Sequence, residues 1–497
     1  MLRLVVPTVI CGLAAAAATG LSGFRVAAPA AELPPQDERA ASKPAQDPDD
    51  PAKLPGWAAY VKHCAPCHGE SGRGDGVAAR FLDPPPRDFD RGRFRFTSTE
   101  NDAPSGKDLF EVIGAGLPGT AMLPFAHLGE DEVWAVADVV LAFRARGLRR
   151  RLAAAGVEGD ALAAAVRART RAVPADDPAD EPPQTAESAA QGLVLFRAHC
   201  AKCHGADLRG ADAPPMVAEE GHATPAPDLA AGDFKQTPLK RNLFDRIRLG
   251  LPGAPMPAIP RAQLDDESVW RIVHYLLARC PTEGRALVDP VPRDLASVAL
   301  EGPLPTSPDD PRFAAAPETW VPLAPMRRGE RTTPGLFVRV LHAPETLALR
   351  ITTPDATENP SSARPDGPPD GVAVRVTATP KPPVLPYPGQ MPAIDRAVFF
   401  AGPMPDRRDP LFDAVPRFEN PDGVCRMPLS AERAGAAVYR GGAWHVALTV
   451  RLEHATDPAR RPVRLSFATF DGALRRGPMP TAFSHWNDLA PRKPAPK

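Results

Sequence analysis

Seven cysteines in 497 residues are too few for a disulfide framework. Neither sign of charge dominates: the net charge is −1 and the pI is about 6.8. No global field therefore draws this chain to nucleic acid or to an acidic membrane. Beyond the first two dozen residues, no stretch is apolar enough to span a bilayer. Lysine is scarce, with 10 against 49 arginines, a skew that reflects the codon usage of a GC-rich genome. Proline is abundant instead. Its 64 residues are about 13% of the chain, against a usual ~5%, which rules out a mainly long-helical protein and predicts several linkers. Hydrophobic residues make up 43%, enough for several ordinary cores. The length suits about three to four domains.

The N-terminus carries an address. Met1-Leu2-Arg3 is short and basic, Leu4 to Phe24 is apolar and alanine-rich with a break at Pro7, and Val26 to Ala31 offers small residues for cleavage. Residues 1–31 are thus expected to be a secretory signal peptide, the alternative being an uncleaved membrane anchor. Bulky Ile10 before Cys11 argues against a lipoprotein. Either way the chain is expected in the periplasm or cell envelope. Residues 32–53 are a Pro-rich polar linker expected to be disordered. Compact segments follow at 54–147 and 187–280, separated by a linker with a short helix over 148–186. A Pro-rich linker at 281–317 leads to a last region at 318–490 of different texture.

The two compact segments are an internal repeat. Cys64-Ala65-Pro66-Cys67-His68 answers Cys200-Ala201-Lys202-Cys203-His204. Gly56 and Gly192 stand eight residues before each first cysteine, and the aromatics Tyr60 and Phe196 four before it. Downstream, Asp108-Leu109-Phe110 answers Asn242-Leu243-Phe244, and Gly116-Leu117-Pro118-Gly119 answers Gly250-Leu251-Pro252-Gly253. Met122 answers Met256, and Trp134 answers Trp270 in an apolar-periodic stretch. The offset is 136 at the cysteines and tryptophans and 134 at the methionines, so the segments arose by duplication.

The chemistry sits in C-x-x-C-H. Two cysteines three apart on a helical turn present both sulfurs to the vinyl groups of one haem, and the next residue, histidine, ligates its iron. A zinc site would need further cysteine pairs, and Cys11, Cys280 and Cys425 are isolated. A redox dithiol of thioredoxin type would need a βαβ setting, and these flanks read as helical. Two covalent c haems are expected, on Cys64 and Cys67 with His68, and on Cys200 and Cys203 with His204.

A thioether sulfur as sixth ligand favours Fe(II). Met122 and Met256 each follow a Gly-Leu-Pro-Gly turn and precede the last helix of their segment, so both are expected as ligands. His127 and His222 are the rivals, but His127 falls near Arg261 in the second copy and His222 has no counterpart. His63 and His199 are expected to point away from the iron, as surface or haem-edge residues.

This pattern resembles class I cytochrome c over both segments almost end to end. The resemblance implies two small all-α domains in which the first and last helices cross beside the haem. Gly69-Glu70-Ser71-Gly72-Arg73-Gly74-Asp75-Gly76 is typical of that family. Lacking the Lys-Ser/Thr of a phosphate loop, it reads as a backbone turn around the haem.

The last region reads as β. Strand-like runs at 335–341, 346–351, 371–377, 397–400, 436–439, 443–452 and 463–469 suggest an antiparallel sandwich. Val338-Arg339-Val340-Leu341-His342, Ala348-Leu349-Arg350-Ile351, Gly442-Ala443-Trp444-His445-Val446-Ala447-Leu448 and Ser484-His485-Trp486-Asn487-Asp488-Leu489 resemble the haem-binding domain of the ethylbenzene and dimethylsulfide dehydrogenase γ-subunits. That family holds a b haem between a Met and a Lys. Here Thr481 stands about where the Lys would, and no Met stands near Phe412 or Asp413. A third haem b would have to rest on Met404, Met427, Met479 or His485, which read better as loop or core residues. The expected role is docking or structure without a Met/Lys haem.

The resulting expectation is an exported dihaem electron carrier or electron-transfer subunit, not an enzyme. A dihaem peroxidase and a haem sensor or binding module are the alternatives. By resemblance, its redox partner is a molybdenum oxidoreductase or a terminal oxidase.

Overall fold

The computed structural model describes residues 50–279 and 294–492, apart from 92, 211–212, 233, 235–239, 328–332, 360–369, 380–394, 401–434, 453–462, 472 and 474–480. The expected signal or anchor at 1–31, most of the 32–53 linker, Cys11, Cys280, Cys425, Met404, Met427 and Met479 lie outside the described residues. Among the described residues, no helix is long and apolar enough to cross a membrane.

The repeat folds twice into the same four helices. The first copy has α1 (Trp57–His63), α2 (Ala65–His68), α3 (Gly106–Ala115) and α4 (Glu130–Ala154). After α5 (Gly159–Thr170), the second copy has α6 (Ala186–His199), α7 (Ala201–His204), α8 (Lys240–Leu249) and α9 (Asp266–Arg279). A capping box starts α3: Ser105 Oγ accepts from Asp108 N, and the Asp108 carboxylate accepts from Ser105 N. Thr185 caps α6 by a single bond, its Oγ1 accepting from Ser188 N. The glycines eight residues before the cysteines mark where first and last helices cross. A Cβ on Gly56 would overlap the Ala135 carbonyl of α4, and one on Gly192 the Arg271 carbonyl of α9. Each last helix then brings its tryptophan onto the phenylalanine of the third: Phe110 and Trp134 stack at 4.7 Å, Phe244 and Trp270 at 4.5 Å.

The stretch expected as a linker at 148–186 is largely built into the fold. Helix α4 runs on to Ala154, and α5 packs against it through Val166. An extended strap then ties the copies together. Ala175 N donates to Ser98 O in the first, and Ala179 N donates to Asp266 Oδ2 in the second. Trp270 Nε1 donates to Ala179 O, and His274 Nε2 donates to Glu181 Oε1 at 2.9 Å.

The last region is one hydrogen-bonded sheet of twelve strands among the described residues. They are β1 (Leu295–Ala299), β2 (Thr319–Pro322), β3 (Ala324–Pro325), β4 (Gly335–Ala343), β5 (Thr346–Pro354), β6 (Gly371–Thr377), β7 (Asp395–Phe400), β8 (Gly435–Arg440), β9 (Ala443–Arg451), β10 (Val463–Phe470), β11 (Ala482–Phe483) and β12 (Asn487–Arg492). The sheet runs β7-β6-β10-β12-β1-β4-β5-β9-β8, with β11 and β3 added beside β10 and β2 beside β4. It coils so that inward residues from distant strands share one core, among them Val340, Leu349, Val374, Val446 and Phe467.

The expected antiparallel sandwich is corrected here: the sheet is mixed. β1 lies parallel to both its neighbours, Leu295 opposite Leu489 of β12 and Val298 opposite Leu341 of β4. The strand belongs to the stretch expected as a Pro-rich linker at 281–317. A short helix at Pro311–Ala315 covers the outer face there, with Phe313 packed on Leu341, Ala348 and Ala447. The outer face of β6, β10 and β11 meets the first helical copy instead, where Ala373, Ala468, Phe470 and Phe483 join its core.

Candidate haem-binding sites

Each C-x-x-C-H forms one helical turn. In the first copy His68 N donates to Cys64 O at 2.8 Å and Cys67 N to the same oxygen at 3.1 Å. In the second, His204 N and Cys203 N donate to Cys200 O at 3.0 and 3.1 Å. Gly69 (φ 75°) and Gly205 (φ 72°) end these turns in the left-handed region, which glycine adopts without a Cβ clash. None of the four cysteines is in a disulfide. Burial pushes Cys64 and Cys67 up to about 12 and Cys200 to about 11. A redox dithiol needs the opposite, a thiolate stabilised near neutral pH.

The Gly-rich run wraps the first turn: Gly74 N donates to His68 O and Gly76 N to Cys67 O. The chain then returns so that Arg87 O accepts from His68 Nδ1 at 3.1 Å. That bond fixes the tautomer and leaves Nε2 with its lone pair free for a metal. Burial holds the His68 imidazole down at about 4, so it is neutral, as an iron ligand must be. Phe89 stacks on the ring at 4.5 Å.

The two methionine loops close alike. Leu117 N donates to Met122 O at 2.9 Å, and Leu251 N donates to Met256 O at 3.0 Å. Gly116 (φ 67°) and Gly250 (φ 69°) turn the chain into each loop. Met122 packs on the core that holds Cys64 and Cys67, and Met256 on the core that holds Cys200. The first loop has an extra brace, Met122 N donating to Thr120 Oγ1 at 3.1 Å. The residues thus offer, twice over, two anchoring sulfurs, an imidazole and a thioether around one core. That donor set fits a c-type haem.

The rival histidines lie elsewhere. His222 sits in an exposed turn. His127 lies against His485 of the sheet region, ring centroids 4.1 Å apart, and 6.2 Å from His63. His63 is buried at 6% exposure, whereas its repeat partner His199 is exposed as expected. His63 packs beside Phe125 and His127, and these two lie against His485 of the sheet region. His485, which read in the sequence as a loop or core residue, is buried there. Its Nδ1 donates to Trp486 O at 3.2 Å, and burial pushes it down to about 4. Thr481 is a buried ladder residue bonded to Thr469.

Two further groupings carried no signal in the sequence. Asp355, Asp370 and Asp471 bring carboxylate oxygens within 4.8 Å of one another, and Trp444 Nε1 donates to Asp370 Oδ2. Glu219 and Glu220 of the second copy meet Arg87, Arg93 and Arg95 of the first.

The family model of cytochrome c oxidase, cbb3-type, subunit III matches this chain twice, over residues 51–138 and 187–276. Among solved structures, a chain of the reducing HAO-like protein complex of Kuenenia stuttgartiensis is 28% identical, with a TM-score of 0.39, covering 47% of this chain and 99% of that one. A family 9 carbohydrate-binding module from Caldicellulosiruptor kristjanssonii, in complex with glucose, is 9% identical at a TM-score of 0.27, covering 40% of this chain and 97% of its own. Superpositions this loose say nothing of function. No curated protein matches. The double match supports reading the two helical regions as cytochrome c domains, which implies covalently bound haem c, and the paired cysteines fit two haems.

Proposed function

We propose that this chain is an exported dihaem cytochrome that passes electrons for a periplasmic respiratory oxidoreductase and catalyses no reaction of its own. Cys64 and Cys67 would anchor one haem, and His68 and Met122 would hold its iron. Cys200 and Cys203 would anchor the other, with His204 and Met256 on the iron. The single observation that carries this reading is the duplicated methionine loop, closed by the same hydrogen bond in both domains.

When bound, each haem supplies one-electron chemistry. The polypeptide holds and tunes it. Arg87 orients His68 through its carbonyl, the thioethers prevent loss of the group, and the methionines bias it toward Fe(II). The sheet region serves as a docking or structural module, supported by its packing over the first domain. Its likeness to the dehydrogenase γ-subunits belongs to the same reading, as does a molybdenum oxidoreductase or terminal oxidase as partner. Residues 1–31 direct export and supply any membrane anchor.

Haem staining after denaturing electrophoresis and a pyridine haemochrome should count two c haems per chain. The oxidised protein should show the long-wavelength charge-transfer band of Met sulfur on ferric haem. Met122→His or Met256→His should keep the haem attached and lower its potential, because a harder ligand favours Fe(III). Unchanged potentials would make the methionines core residues, and peroxide turnover would replace a carrier by a peroxidase.

A further inference from the structure

We propose that the contact between the two cytochrome domains is a built electron-relay joint, in which Arg87 and Glu220 hold the Met256 side of the second domain against the His68 side of the first. The inference rests on the dihaem reading above.

Arg87 faces both ways. Its carbonyl takes the Nδ1 proton of His68, and its guanidinium pairs with Glu220 of the other domain. Glu220 also accepts from Arg95 Nη2 at 3.1 Å, and Glu219 pairs with Arg93 at 3.2 Å. The backbone of Glu219 continues the route: its N–H donates to Gly253 O at 3.0 Å, inside the loop that carries Met256. Three hydrogen bonds, joined through the side chains of Glu220 and Arg87, therefore connect the methionine loop of one domain to the histidine of the other.

The joint has the features of a specific interface. Three arginines meet two glutamates, and the central pair is shielded, Arg87 at 24% and Glu220 at 16% exposure. Glu220 is held below the usual carboxylate range by Arg87 and Arg95 against the opposing effect of its burial. Beside it Arg246 of the second domain lies over the Phe96 ring of the first, 4.7 Å from its centroid. The strap from Ala175 to Glu181 brackets the contact from the other direction, bonded to both domains. The domains thus stand head to tail. The Met122 loop of the first meets β3 and His485, not a second cytochrome.

The test is electron exchange between the two haems of the full-length holoprotein after pulse reduction. Glu220→Arg places a third like charge beside Arg87 and Arg95 and should slow exchange by about tenfold or more, the low end for disrupting a hydrogen-bonded charge pair. The charge swap Arg87→Glu with Glu220→Arg should restore it. Small-angle scattering should show the single variant expanded and the swap compact. If Glu220→Arg does not fold, Glu220→Gln should still slow exchange at low salt and make its rate less sensitive to added salt than that of the wild type. Exchange that ignores both substitutions, with both Met bands intact, overturns the joint and leaves the dihaem reading standing. A wild-type protein with one haem, or without Met bands, overturns that reading itself.

Discussion

Replacing Asp90 by Asn should destabilise the first cytochrome domain by roughly 2–3 kcal/mol. The Asp90 carboxylate is 2% exposed and takes three guanidiniums: Arg73 Nε at 3.2 Å, Arg146 Nη2 at 3.2 Å and Arg150 Nη2 at 3.1 Å. Arg151 donates to its carbonyl as well. The arginine ends are 51%, 32% and 53% exposed, so each pair alone is worth only about 0.5–1 kcal/mol. Three pairs give about 2 kcal/mol, and the guanidiniums left facing one another add a fraction more. For a domain of this size, 1 kcal/mol moves the transition by about 4–8 °C, so the variant should melt roughly 10–15 °C lower. Calorimetry of the holoprotein, with the Soret band followed in parallel, measures this. Arg150→Ala is the control and should cost under about 1 kcal/mol. The hub should also reach the haem, because neighbouring Phe89 stacks on His68 and Arg87 orients it. A shifted potential should accompany the lost stability. A variant within about 0.5 kcal/mol of wild type, at unchanged potential, would refute this account of the hub.

Gly192→Ala puts a Cβ onto the Arg271 carbonyl where α6 and α9 cross, and should cost the second domain about 3 kcal/mol in denaturant unfolding, against about 1 kcal/mol for Ala189→Gly one turn away. His274 is fully buried between Ser188 Oγ at 2.7 Å and Glu181 Oε1 at 2.9 Å, so His274→Ala should free the strap and speed limited proteolysis near residues 175–185; an unchanged cleavage rate would show that the strap is held without it. Asp355 is raised to about 6 by burial and by Asp370 and Asp471, so the fold favours its neutral form. The stability this confers is complete below pH ~4 and is lost as the pH rises through about 6. Urea midpoints of the sheet region should fall across that range, and Asp355→Asn should flatten the fall.

The elements of the candidate haem sites were legible because their signals are local. C-x-x-C-H fits on one helical turn, each Gly-Leu-Pro-Gly announces its methionine loop, and Gly56 and Gly192 are where two helices touch without side chains. Duplication doubled each signal. The same repeat logic predicted like surroundings for His63 and His199, and there it failed: His63 is buried beside Phe125 and His127, which in turn lie against His485 of the sheet region, whereas His199 is exposed. The joint at Arg87 and Glu220 was invisible for the same reason: ordinary surface charges acquire a role only when two domains meet. The short strand β1 lies in a Pro-rich stretch, and parallel pairing leaves no hairpin in the sequence to betray it.

The place of β1 also sets an order of events in time. Both its neighbours, β4 and β12, come later in the chain, and β12 is the last strand described. The helices of each cytochrome domain pack on one another within about a hundred residues, and that helical part can close as soon as its last helix is made. The sheet has no such shortcut, because its middle rung waits for a partner from the opposite end of its own region. During that interval Phe125 and His127 of the finished first domain lie bare, and the unpaired edge of β1 is open to any passing strand. A stall late in synthesis would therefore yield two sound cytochromes joined to a sticky, half-made sheet, the state in which this chain most needs a chaperone.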